Sequence, residues 1–241
     1  MELTEINSLL LVVVLLGSAL TYYWNEPTFR TPLSATLLLV VWAGVFTPLM
    51  YLAAGLDTQF VDSTLARCDK LMGIHLPSIV EWTSEHPTLK RVLEIAYASV
   101  ALQTALVLIL SPNPSLFVKR FIIGSSVCLV AMCLFPAVGP FFHYGYEMNT
   151  SQATYLSHLV DCRAYGLVLC KNAEGLITVP SFHAIWAILL IASSGRLWLP
   201  ATLLNILVIY ATVTTGWHYG TDVVIGLLVA LLVLMITRNR K

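Results

Sequence analysis

In Gly216-Trp217-His218-Tyr219-Gly220-Thr221-Asp222 a histidine and an aspartate stand four residues apart. On a helix, that spacing puts both side chains on one face, a turn apart. A carboxylate so placed accepts from one imidazole nitrogen and fixes the tautomer, leaving the other nitrogen as a nucleophile. Gly216 and Gly220 keep the turn tight and the backbone approachable. A second histidine closes Val179-Pro180-Ser181-Phe182-His183. Proline suits the first turn of a helix, and the unpaired N–H groups there form a ready phosphate site. Ser181 either caps that helix or binds an oxyanion, and His183 faces whatever is bound. A metal site built from His183, His218 and Asp222 is conceivable in principle, but no cysteine spacing resembles a zinc site. The expectation is no metal and no cofactor.

The elements that position these groups are membrane helices. Of 241 residues, 58% are hydrophobic and 11% charged, against about 25% charged in a soluble domain. The mean hydropathy is +0.81. The expected fold is all-α, a single polytopic transmembrane bundle over residues 1–241. Apolar runs near 6–23, 33–55, 92–111, 117–138, 182–195, 198–216 and 221–237 make about six or seven spans. The acidic start, Met1-Glu2-Leu3-Thr4-Glu5, is unlike a cleaved signal, so the first run is read as a retained helix. A formal net charge of zero gives no reason to expect a nucleic-acid partner. The expected partners are the bilayer and a membrane lipid; the oligomeric state stays open.

Seven spans put the two ends on opposite sides. With the C-terminus cytoplasmic, Arg30, Lys119, Arg120, Arg196, Arg238, Arg240 and Lys241 all lie at the inner boundary, offset by Glu26. His183, His218 and Asp222 then sit at the outer ends of the last helices. Ionisable groups at such positions are functional candidates by default.

Two longer segments fall on the same outer face. Over 56–91, Phe60, Val61, Leu65, Cys68, Leu71 and Met72 share a ~140° sector of a helical wheel, with Asp62, Arg67, Asp69 and Lys70 outside it. This reads as an interfacial helix or as an ordinary extramembrane cap. The second, 139–180, reads as an outer loop over the site. It holds Cys162 and Cys170, either a disulfide in an oxidising compartment or two free thiols. His75, His86, His143 and His158 are read as loop residues.

Pro180-Ser181-Phe182-His183 and the run from Gly216 to Gly226 resemble the second and third signatures of the type-2 phosphatidic acid phosphatase superfamily. The proline–serine–phenylalanine–histidine form is similar to the branch that includes inositol phosphorylceramide synthase. Phe135-Pro136, Gly139-Pro140 and the stretch around Asp57–Pro87 are similar to that branch as well. The superfamily's first signature, a lysine followed after six residues by Arg-Pro, is absent, because Lys119-Arg120 precedes Phe121 and the chain has no Arg-Pro.

The resemblance implies catalysis over residues 180–226. His218 attacks phosphorus to give a phosphohistidine, Asp222 orients His218, and His183 serves as acid and then base. Arg163, in Asp161-Cys162-Arg163-Ala164-Tyr165-Gly166, is similar to an arginine–glycine element of that branch. It is expected to hold the phosphate with Ser181 in place of the missing cations, or else to be a surface arginine meeting headgroups; Lys171 is the other cation nearby. The expected activity is a membrane lipid phosphotransferase, with a lipid phosphate phosphatase as the alternative. The expected location is a bacterial plasma membrane with the site on the periplasmic side.

Overall fold

A computed structural model describes residues 27–166 and 173–238. The expected first span, Cys170, Lys171 and the last three residues lie outside the described residues. Among those described, all regular structure is helical: α1 (Pro27–Ala54), α2 (Asp62–Leu71), α3 (Leu76–Ser84), α4 (Pro87–Ala98), α5 (Val100–Leu110), α6 (Pro114–Leu134), α7 (Pro140–His143), α8 (Thr150–Tyr165), α9 (Phe182–Ser193), α10 (Trp198–Thr214) and α11 (Gly220–Ile236). A 3₁₀ turn at Gly195–Leu197 leads into α10.

The bundle forms around α9. This helix packs against α5, α6, α10 and α11, so its apolar sequence is buried on almost every side: Ala184, Ile185, Ala187, Leu189 and Leu190 are at most 1% exposed. Phe117, Phe121 and Cys128 of α6, Val208 of α10, and Ala230 and Val233 of α11 complete this core. Asn205 Nδ2 donates to Gln103 Oε1 at 2.6 Å, Trp186 Nε1 to Thr104 Oγ1 at 2.8 Å and Trp42 Nε1 to Ser125 Oγ at 2.9 Å. Such bonds tie helices together where the surroundings are apolar. Outside, Leu38 and Val45 of α1, Leu102 and Ile109 of α5, Leu203 and Ile206 of α10, and Leu228 and Leu232 of α11 are exposed. An apolar surface of that extent suits lipid rather than water.

Among the described residues, Thr31–Ala54, Pro114–Leu134 and Gly195–Thr214 are long and apolar enough to cross a membrane. The expected single span at 92–111 is instead two helices, α4 and α5, bent by 42°. Ser99 sits at the break; its hydroxyl donates to the Ala96 carbonyl at 2.6 Å and accepts from Gln103 Nε2 at 2.9 Å. With α4 and α5 taken as one span, the count is four. α9 and α11 are apolar but shorter; twelve residues of α9 reach only ~18 Å.

The two segments expected on the outer face depart further from expectation. The 139–180 region is not simply a loop. It contains α7 and the 16-residue α8, opened by a capping box in which Asn149 and Gln152 exchange side chain-to-backbone bonds. His158, expected in a loop, is in α8, nearly buried, with Nδ1 2.9 Å from Tyr51 Oη. In α2, Asp62 and Asp69 are buried while Leu71 is 87% exposed, so the two acids point into the protein. Each is satisfied by backbone N–H groups of a neighbouring turn, which removes the cost of burying a carboxylate.

Helices α9 and α11 start side by side. The Ser181 N–H donates to the Asp222 carbonyl at 3.1 Å. A Cβ on Gly226 would stand 2.6 Å from the Ser181 carbonyl oxygen and 3.2 Å from Ala184 Cβ. Because the first obstacle is backbone, Gly226→Ala is expected to push α11 off α9. Overpacking of this kind costs about 1–3 kcal/mol and would separate His218 from His183. Thermal unfolding in detergent and activity should both fall; an unchanged melting temperature with full activity would contradict this crossing.

Candidate functional site

Three backbone segments meet over the start of α9. The turn after α6 is kept open by Gly139 at φ 123°, where a Cβ would come within 3.2 Å of the Trp217 carbonyl oxygen. The turn after α10 passes through Gly216 at φ 77°, and the Phe141 N–H donates to its carbonyl at 3.1 Å. Side chains would be strained at both positions. The third segment, 173–180, is held by Tyr51, whose hydroxyl accepts from the Glu174 N–H at 3.0 Å, and by Tyr155, whose hydroxyl is 3.1 Å from Thr178 Oγ1.

Thr178 in turn positions His218. The His218 Nδ1–H donates to the Thr178 carbonyl at 3.1 Å and lies 3.3 and 3.4 Å from the two Asp222 carboxylate oxygens. Asp222 is fully buried and also accepts from the Tyr219 N–H at 3.1 Å. With Nδ1 engaged on both acceptors, Nε2 is the nitrogen left for chemistry. His183, in the first turn of α9, has its ring centroid 6.1 Å from that of His218. Tyr97, at the end of α4, stacks on it at 4.0 Å, with Oη 3.1 Å from Nδ1. The bend at Ser99 brings Tyr97, Ala98, Val100 and Ala101 to the wall of a cavity beside the two histidines. Tyr97 was not foreseen, and no local signal in the sequence marks it.

Both histidines line a cavity of about 880 Å³. Phe46, Met50, Ile177, Phe182 and Trp186 make much of its wall, and Glu94 and Glu174 supply carboxylates. Among the described residues no lysine or arginine lines it, and no three His, Cys, Asp or Glu side chains are grouped to hold a metal ion. Glu174 lies outside the helices; burial pushes its carboxyl above the usual carboxylate range, and His158 pulls it the other way.

The structure thus brings His183, His218 and Asp222 together and gives the side chains of the two expected phosphate contacts, Arg163 and Ser181, partners within the protein. Arg163 does not line the cavity. Its Nε and Nη1 donate to the Ala54 and Thr58 carbonyls, each at 2.9 Å, and its guanidinium lies over the Phe60 ring at 4.3 Å. It ties the end of α8 to the end of α1. Ser181 is fully buried, with Oγ accepting from the Ala184 N–H at 3.4 Å, the helix-cap alternative. Cys162 is buried in α8, while its expected partner Cys170 lies outside the described residues.

Two acids missed by sequence reading complete the frame. Asp62 accepts from the Val138 and Gly139 N–H groups at 2.9 and 2.8 Å and from the Tyr219 hydroxyl at 2.9 Å. Asp69 accepts from the Gly220 and Thr221 N–H groups at 3.0 and 2.7 Å and from the Thr221 hydroxyl at 2.6 Å. The N-terminus of α11 is therefore already occupied by a carboxylate. The start of α9 has no carboxylate in its first turn, and its Ala184 N–H is taken by Ser181 Oγ.

Comparison with curated proteins and with solved structures returns no match. A family model described as the PAP2 superfamily matches residues 63–236, more than half of the chain and all of the segments just described as framing the site except α1 and Asp62. The chain belongs to the PAP2 superfamily, whose activity is that of a phosphatase or phosphotransferase on phosphate esters, and its apolar helices suit an integral membrane enzyme of that kind.

Proposed function

We propose that the protein is a membrane lipid phosphotransferase working through a phosphohistidine on His218. The observation that carries this reading is the double hold on His218 Nδ1, by Asp222 and by the Thr178 carbonyl, which leaves Nε2 free beside His183. In the first half-reaction Nε2 attacks phosphorus, the N–P bond forms and the P–O bond to the lipid alcohol breaks. Protonated His183 gives its proton to the leaving alkoxide. In the second half-reaction the acceptor hydroxyl gives a proton to His183 as its oxygen attacks phosphorus and the N–P bond breaks. Asp222 offsets the positive charge on the phosphorylated ring. The N–H groups at the start of α9 face the non-bridging oxygens.

A lipid substrate is supported by the apolar cavity wall and by the apolar helices α9 and α11, whose first turns carry His183 and Asp222. In this reading the site opens at the exoplasmic face of a bacterial plasma membrane, with the C-terminus cytoplasmic. Superfamily membership favours a second reading, a lipid phosphate phosphatase that uses the same residues with water as acceptor. Purified protein incubated with a donor lipid labelled at phosphorus, with and without alcohol acceptors, separates the two. A new phosphodiester that appears only with the alcohol is expected; free phosphate as the sole product, unchanged by any alcohol, would leave the phosphatase.

A further inference from the structure

The two histidines are backed by different chemistry. His218 Nδ1 has the Asp222 carboxylate behind it at 3.3 Å. His183 Nδ1 has the Tyr97 hydroxyl, at 3.1 Å. The Tyr97 ring also lies on the His183 imidazole, with 4.0 Å between centroids and 20° between planes. Trp217, the residue before His218, is 6.4 Å from the same ring and nearly parallel to it, at 7°. Helix α4, which carries Tyr97, packs against α10, the helix that leads to Trp217 and His218. The Ser99 hydroxyl closes the last turn of α4 on the Ala96 carbonyl. Tyr97 is therefore fixed relative to both histidines, and all three side chains line one cavity.

We infer that Tyr97 is a positioning residue for His183: its hydroxyl oxygen accepts from the Nδ1–H and commits Nε2 to the proton transfers. The inference rests on the proposed transfer reaction and adds a residue to it. Over one cycle Nε2 gives its proton to the leaving alkoxide and takes one back from the acceptor hydroxyl. The Nδ1–H stays on Tyr97 throughout, so the imidazole never changes tautomer between the two half-reactions. A carboxylate in this place would stabilise the imidazolium and make it slow to release its proton. A hydroxyl oxygen fixes the same tautomer without that charge, and the stacked phenol ring holds the plane of the imidazole. Each backing suits its role. The carboxylate stands behind the ring that becomes cationic when phosphorylated, and the neutral oxygen stands behind the ring that must let a proton go.

The test uses the full-length protein in mixed micelles and a series of esters of one long-chain phosphate, graded from alkyl to aryl leaving groups. Tyr97→Phe keeps the stacked ring and removes the oxygen. It is expected to lower kcat on the alkyl ester by about three- to tenfold, the size of one neutral hydrogen bond, with KM little changed. The most activated aryl ester, which needs no acid, should stay within about twofold. In the His183→Ala background the same substitution should change nothing on any ester, because Tyr97 acts only through that ring. Full activity of Tyr97→Phe on the alkyl ester, an equal loss across the series, or a loss that persists without His183 overturns the assignment and leaves the chemistry of the two histidines in place. Equal losses on every ester for His183→Ala itself, or no turnover of the series by the unaltered protein, remove the transfer reading and the role of Tyr97 with it.

Discussion

His218→Ala is expected to abolish turnover of every phosphate ester the protein accepts, lowering kcat by about 10³-fold or more. Among the described residues, the ring at this position is the only one whose Nδ1 is held by both a carboxylate and a backbone carbonyl, so no neighbour takes over the N–P bond. His183→Ala should behave differently. An acid is needed when the leaving group is an alkoxide and hardly at all when it is an activated phenolate. His183→Ala therefore loses about 10²–10⁴-fold on a lipid ester and much less on an aryl phosphate, while His218→Ala is inactive on both. Asp222→Asn keeps the shape and removes the charge behind His218, with a loss of about 10²-fold or more. Single-turnover kinetics with both ester types, with an acid-labile phosphoprotein trapped from the wild type, check the assignment. Equal losses on both esters for His183→Ala, or a phosphoprotein still formed by His218→Ala, would reverse the two roles.

The grouping of His183, His218 and Asp222 is legible in the sequence because its signals are local. His218 and Asp222 are four residues apart on one turn, and Pro180-Ser181 announces the turn that carries His183. Most helices were readable for a similar reason, since apolar runs report themselves without any partner. What was hidden depends on groups brought from elsewhere. Asp62 and Asp69 fall on the polar side of their wheel, and a wheel equates polar with outward; the acceptors they supply are needed by turns some 70 to 150 residues away. Arg163 is a good phosphate ligand by chemistry, but two carbonyls at the ends of α1 and its following turn claim it. The bend at Ser99 contains neither proline nor glycine, so nothing local broke the apparent span at 92–111. α8 is the exception that was legible and passed over: Asn149-Thr150-Ser151-Gln152 is a helix-start signature, obscured by the polar stretch behind it.

Asp69→Ala is expected to destabilise the protein by about 2–4 kcal/mol and to remove most of its activity. The carboxylate is 1% exposed and takes three hydrogen bonds from the first turn of α11. Truncation leaves two N–H groups and a hydroxyl unsatisfied in a closed space, and takes a negative charge from the positive end of the helix. That same turn carries Asp222, and the residue before it, Tyr219, is bonded to Asp62. A frayed first turn thus loosens the carboxylate behind His218 without touching either histidine. Asp69→Asn keeps one oxygen for the backbone and should cost about 1 kcal/mol. Lys70→Ala, the exposed neighbour on α2, should stay within about 0.5 kcal/mol. Thermal unfolding in detergent ranks the three variants, and kcat measured well below each midpoint separates stability from chemistry. If Asp69→Ala unfolds and turns over like Lys70→Ala, the anchoring of the catalytic turn by α2 has no energetic weight.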